Sequence, residues 1–128
     1  MTRVLLFAGV LLLSTISLYT LPSEADLHKT IVLNEILYNP RGPEVQGEWI
    51  ELFNSGDSVD IRDWTLTDQD SWAFQFPSLA VPQECYVVLH VGTGIPDSDF
   101  SDCVAHLYAN GSTPRLNNDG DDLLLRDS

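Results

Sequence analysis

The residues best equipped for chemistry in this chain are a pair of cysteines, a few histidines and many carboxylates. Cys85, His90, Cys103 and His106 have the types of a four-ligand zinc site. Their spacing argues against one. In a strand, residues five or three apart point to opposite faces, so Cys85 diverges from His90 and Cys103 from His106. A Cys85–Cys103 disulfide is the preferred reading, because the cysteine count is even and the N-terminus reads as an export signal. Two free thiols are the other alternative. Paired carboxylates could serve glycoside hydrolysis, with Glu48 and Glu51, or Glu35 and Glu51, as acid and base. Glu48 and Glu51 have opposite parity, however, and nothing marks a substrate cleft. No Ser-His-Asp order, phosphate-binding glycine loop or nucleotide motif is visible, so no catalytic residue is expected.

Oxygen-rich loops raise calcium. Asn117, Asp119 and Asp121 begin like a calcium loop, but Asp122 stands where the EF-hand requires glycine. Asp97, Asp99 and Asp102 form a second, looser cluster. Weak calcium binding is the candidate reading, against a plain tight turn over Asn117–Gly120. No other cofactor is expected. Asn110-Gly111-Ser112 is an N-glycosylation sequon, meaningful only where the host glycosylates exported chains.

The elements that must position these residues read as strands. Ile31–Tyr38 alternates, with Val32, Ile36 and Tyr38 on one side and Ile31, Leu33 and Leu37 on the other. Both sides are apolar, which predicts a strand covered by two layers. Asn39-Pro40 ends it, and Arg41–Gln46 reads as a loop. In Gly47–Asn54, Ile50 and Leu52 form the uncharged and therefore inner face, leaving Trp49, Glu51 and Phe53 outside. In Ile61–Leu66, Trp64 and Leu66 share the core face opposite Ile61 and Thr65, with Trp64 as a large anchor. Phe74 and Phe76 share a face of a short strand. Cys85–Val91 and Cys103–Tyr108 follow, and Asp121–Leu125 closes the set with Leu123 and Leu125 inward. Many short strands with turn signals and no mature helix predict an all-β sandwich.

A chain of 128 residues with 44% hydrophobic content has enough material for one core. Its net charge of −13, with only six Lys and Arg scattered along it, argues against a phosphate-binding surface and so against nucleic acid as a partner. Residues 1–25 read as a targeting segment. Arg3 supplies the positive start, Val4–Leu13 is apolar, and Ser23-Glu24-Ala25 offers small residues for cleavage, placing the mature start near Asp26. The alternative is an uncleaved anchor over Val4–Leu21, a tether to the cytoplasmic membrane.

Particular runs also resemble a known family. They are Asn34-Glu35 with Tyr38-Asn39-Pro40, then Gly47-Glu48-Trp49-Ile50-Glu51-Leu52-Phe53-Asn54, then Asp63-Trp64-Thr65-Leu66-Thr67-Asp68. Phe74-Gln75-Phe76-Pro77 and Leu116-Asn117-Asn118-Asp119-Gly120-Asp121 follow in the same order. Together, over roughly residues 30–127, they resemble the lamin-tail domain family. The resemblance implies an immunoglobulin-like β-sandwich whose Gly-Glu-Trp-Ile-Glu-Leu run is framework rather than catalytic. It also implies at least one further strand after Leu123–Asp127. With Ser128 as the last residue given, either the sandwich lacks that strand or the chain is a fragment of a longer protein.

The expected function is a non-catalytic binding or scaffolding module, secreted or at the cell surface, with an unnamed protein or cell-surface ligand. The N-terminal segment groups the chain with exported prokaryotic members of the family. The coiled-coil rod of the nuclear filament members is absent, since no heptads are sustained. An accessory module from a larger secreted hydrolase or nuclease is the second reading. A weak calcium-dependent adhesion domain is the third.

Overall fold

A computed structural model describes residues 31–113 and 115–128. The expected signal or anchor segment, residues 1–25, lies outside them. Among the described residues no helix is long and apolar enough to cross a membrane. In chain order the elements are β1 (Ile31–Leu37), α1 (Glu44–Gly47), β2 (Trp49–Asn54), β3 (Val59–Asp60), β4 (Thr65–Thr67), β5 (Ala73–Gln75), β6 (Ala80–Val81), β7 (Tyr86–His90), β8 (Val104–Tyr108) and β9 (Leu124–Arg126). They form a four-stranded sheet in the order β1-β2-β7-β8, a three-stranded sheet β5-β4-β9, and a small β3-β6 pair. The fold is an immunoglobulin-like sandwich, nearly all β.

The core follows from period two. β2 buries Ile50, Leu52 and Asn54 and turns Trp49, Glu51 and Phe53 outward, half-buried. β7 sends Val87 and Leu89 inward beside Ala105 and Leu107 of β8. Leu66, Phe76, Ile61 and Val81 meet them from the opposite side. Each fully buried large apolar side chain contributes about 1.5–3 kcal/mol.

Several sequence expectations need correction. β1 is not covered by two layers: it is the outer strand of its sheet, and Val32, Ile36, Leu37 and Tyr38 are all exposed. Its parity also changes midway. Leu33 pairs with Leu52 and Glu35 with Glu51, which leaves Asn34 as a bulge. The extra residue puts Ile36 opposite Ile50, on the core side with Ile31 and Leu33. The Ile61–Leu66 run is likewise not one strand. Trp64 N–H donates to the Ile61 carbonyl across a turn in which Asp63 has φ 62°. That turn lets Ile61 and Leu66 both reach the core, while Trp64 is only half-buried. The expected loop before β2 contains the helical turn α1. A Cβ on its Gly47 would lie 2.6 Å from the Pro40 Cβ, so glycine is required for that close approach.

Candidate functional site: the open edge of the sandwich

The two lateral sides of the molecule differ, and the candidate residues divide between them. On one side β7 and β8 run parallel, with Tyr86 beside Val104. Cys85 and Cys103 each stand just before one of these strands, so the register brings them together. They form the disulfide, with Cα atoms 4.7 Å apart. The outer edge of β8 is covered by its own connecting loop, where Asp97 and His106 exchange backbone hydrogen bonds of 2.9 and 2.7 Å. Gly94 of this loop lies against the Tyr108 ring, and a Cβ there would overlap it. Tyr108 stacks on His90 with centroids 4.7 Å apart. His90 Nε2 and His106 Nδ1 share a hydrogen bond of 3.0 Å. Burial, and then the neighbouring His106, push the His90 imidazole below its ordinary value. The zinc reading therefore has no ligand set: the cysteines bond each other, and so do the imidazoles. Among the described residues no three His, Cys, Asp or Glu side chains are grouped to hold a metal ion.

The carboxylates are used by the backbone around them. Asp97 Oδ1 accepts from the Asp99 amide, Asp99 Oδ1 from Ser101, and Asp102 Oδ1 from Val104, each closing a local turn. In the other cluster Asp121 Oδ2 accepts from the Asn117 amide, and Asn117 Nδ2 donates to Asp70. Asp119 sits exposed at the tip of that turn. Glu35 and Glu51 do face each other across β1 and β2, but on the outer surface, where Glu51 accepts from Asn34 Nδ2 at 2.7 Å. Asn110 of the sequon follows β8 on the surface.

The burial of two polar residues has no signal in the sequence. Glu48 is fully buried and accepts the Arg115 amide at 2.9 Å, tying the loop before β9 to the start of β2. Burial pushes its carboxyl above the usual range, against the opposing effect of the Arg115 and Leu116 amides. Asn54, also fully buried, donates to the carbonyls of Asp57, Val81 and Pro82 and accepts from the Gly56 amide. An asparagine ending a strand run before Ser-Gly-Asp signals a turn; its burial has no signature in composition.

On the opposite side the described residues leave both sheet edges uncovered. β1 ends one sheet and β9 ends the other, and among the described residues neither has a strand on its outer edge. Between them runs a cleft in two connected parts. One part, of about 590 Å³, lies between Leu33, Ile36 and Tyr38 of the β1 region and the turn from Leu116 to Leu123. The other, of about 690 Å³, lies between Ile31, Val32 and Leu33 and the segment Leu123–Asp127, with Trp64 at its margin. The expected anchors Leu123 and Leu125 are partly buried along this cleft, while Ile50, Leu52 and Leu66 lie in the closed core. The cleft is apolar at its floor and carboxylate-rich at its rim.

A disulfide-pinned immunoglobulin-like sandwich with one open lateral edge is the class of module these features define. The chain matches the lamin tail domain model over residues 25–128 and belongs to that family. No curated protein gives a match, and neither does any solved structure.

Proposed function

We propose that this chain is a non-catalytic binding or scaffolding module that works outside the cytoplasm, and that its binding site is the open edge between β1 and β9. The observation that carries this reading is the exposure of Val32, Ile36, Tyr38 and Leu124 around one cleft. Contiguous exposed apolar surface on a folded domain marks an interaction site. The Cys85–Cys103 bond supports the location, because such bonds persist in oxidising compartments.

A photo-crosslinking side chain at Val32, in the protein as its own host makes it, tests the site. A discrete adduct is expected at Val32 and not at the exposed Ser112 on another loop. Equal labelling at both positions, or none, removes the edge as the binding site. N-terminal sequencing tests the location. The expected result is a mature start near Asp26 in the exported fraction; an intact Met1 on membranes replaces cleavage with anchoring.

A further inference from the structure

We propose that the open edge accepts one extended peptide segment of a partner protein, in which apolar residues alternate with Lys or Arg, and which pairs with the outer edge of β1. The proposal rests on the reading of that edge as the binding site and adds the chemistry of what fills it.

The backbone sets the shape of the occupant. β1 offers seven residues of strand, and its outer edge carries no ladder among the described residues. An unpaired edge is a template for another strand, because its N–H and C=O groups are already aligned. A strand laid beside β1 would alternate its side chains between the cleft and solvent. The inward ones would meet Ile36, Leu123 and Leu125, which the sandwich itself leaves partly uncovered. Small apolar side chains therefore suit the inner positions.

Charge selects among occupants. Asp119, Asp121 and Asp122 line one part of the cleft and Asp127 the other, with Arg126 as the one base lining either part. That base is engaged, since Arg126 donates to Thr67 Oγ1 at 3.2 Å. Glu35 projects exposed from β1 itself. A second copy would bring another net charge of −13 and the same carboxylate rim against this one. Like-charge juxtaposition of that kind suppresses self-association. The Asn34 bulge works in the same direction, since bulged and charged edges resist pairing with their own kind. A basic partner strand removes the repulsion and gains attraction from the same groups.

The test uses the full 128-residue chain and three fluorescent peptides of about nine residues, long enough to span β1. One alternates valine and isoleucine with lysine, one has glutamate for each lysine, and one has proline at two adjacent central positions, so that one of the two must face β1. Fluorescence anisotropy should show the lysine peptide binding at least about tenfold more tightly than the glutamate peptide, with the preference shrinking as salt rises. The proline peptide should not bind, because it cannot complete the ladder. Hydrogen exchange should slow at β1 amides on adding the lysine peptide. The double variant Asp122→Lys, Asp127→Lys changes exposed residues only and should erase most of the preference while leaving the fold intact. Equal binding of the lysine and glutamate peptides overturns the proposal, although a Val32 crosslink would still uphold the site. Binding of the proline peptide, protection away from β1, or concentration-dependent self-association that protects β1 would each overturn it as well.

Discussion

The two lateral edges of this sandwich solve one problem in opposite ways. At β8 the edge is closed three times over: by the disulfide at the start of the strand pair, by the Asp97–His106 bridge, and by Gly94 seated on Tyr108. At β1 and β9 the described residues provide no cover, and apolar side chains stay in solvent. Edge strands are a liability unless blocked or used. The fold places covalent and backbone bonds on one side, and only a bulge and carboxylates on the other. Stability should sit on the β7–β8 side and binding on the β1–β9 side.

The largest expected effect tests the first half of that division. Leu89 is fully buried at the centre of the four-stranded sheet. Leu89→Ala should cost about 2–5 kcal/mol from lost burial and a residual cavity. The equivalent change at the open edge, Ile36→Ala, should cost less than about 1 kcal/mol, since Ile36 is 39% exposed. Chemical denaturation of both variants checks the contrast. Equal losses would mean that β1 is covered in solution.

Next in size is the disulfide. Cys85 and Cys103 are 18 residues apart, and closing a loop of that length should stabilise the fold by about 3 kcal/mol. Denaturation with and without reductant measures this. Mass analysis after alkylation without reductant should find no labelled thiol; two labels would remove the bond. Because the bond lies on the closed side, reduction should speed hydrogen exchange at β7 and β8 more than at β1.

Trp64 stands between the two regions. A fully buried tryptophan would lose about 3–5 kcal/mol on truncation. Trp64 packs against the core but lines the cleft, half-buried. Trp64→Ala should therefore cost less, about 1–3 kcal/mol, and should also disturb peptide binding at the edge. Trp49→Ala, on the outer face beside His90, should be milder in stability and neutral for the edge. Thermal melts of the two variants, with peptide titrations, separate these outcomes.

The reason Trp64 and β1 were misread from sequence is physical. Alternation reports which residues share a face only while the register is unbroken. The inner face of β2 was legible because Ile50 and Leu52 alternate with Trp49, Glu51 and Phe53 without interruption. In β1 one extra residue at Asn34 exchanged the faces, and in the Ile61–Leu66 run the turn at Asp63 did the same. Neither leaves a period-two signature. The disulfide was legible because an even cysteine count and an export-like N-terminus needed no coordinates. The open cleft was not, because it arises from where β1 and β9 end their sheets, and sheet order is a property of long-range pairing. The buried roles of Glu48 and Asn54 were hidden for a related reason: their partners lie in distant segments, at Arg115 and at Val81–Pro82.

The smallest effect is a pH dependence with two opposing parts. On the closed side, burial and His106 hold the His90 value below 6.5 in the folded state. The unfolded chain then binds a proton more readily, so the contribution of His90 is present above about pH 6.5 and is lost as pH falls from there toward the lowered value. At the start of β2, Glu48 is held above 4.5 by burial. Its folded form binds the proton more readily, so its contribution is full below about pH 4.5 and is lost as pH rises through the raised value. The two slopes have opposite signs in the range between pH 4.5 and 6.5. Substitution separates them. His90→Asn should leave a fold that weakens as pH rises through this range, because only the Glu48 slope remains. Glu48→Gln keeps an acceptor for the Arg115 amide and removes the charge, so that variant should instead strengthen as pH rises. Denaturation midpoints of both variants at several pH values across the range decide the matter. Parallel profiles would mean that neither group titrates away from its unfolded value. The closed side would then owe its rigidity to the disulfide and the loop bridge, with no contribution from the titration of His90.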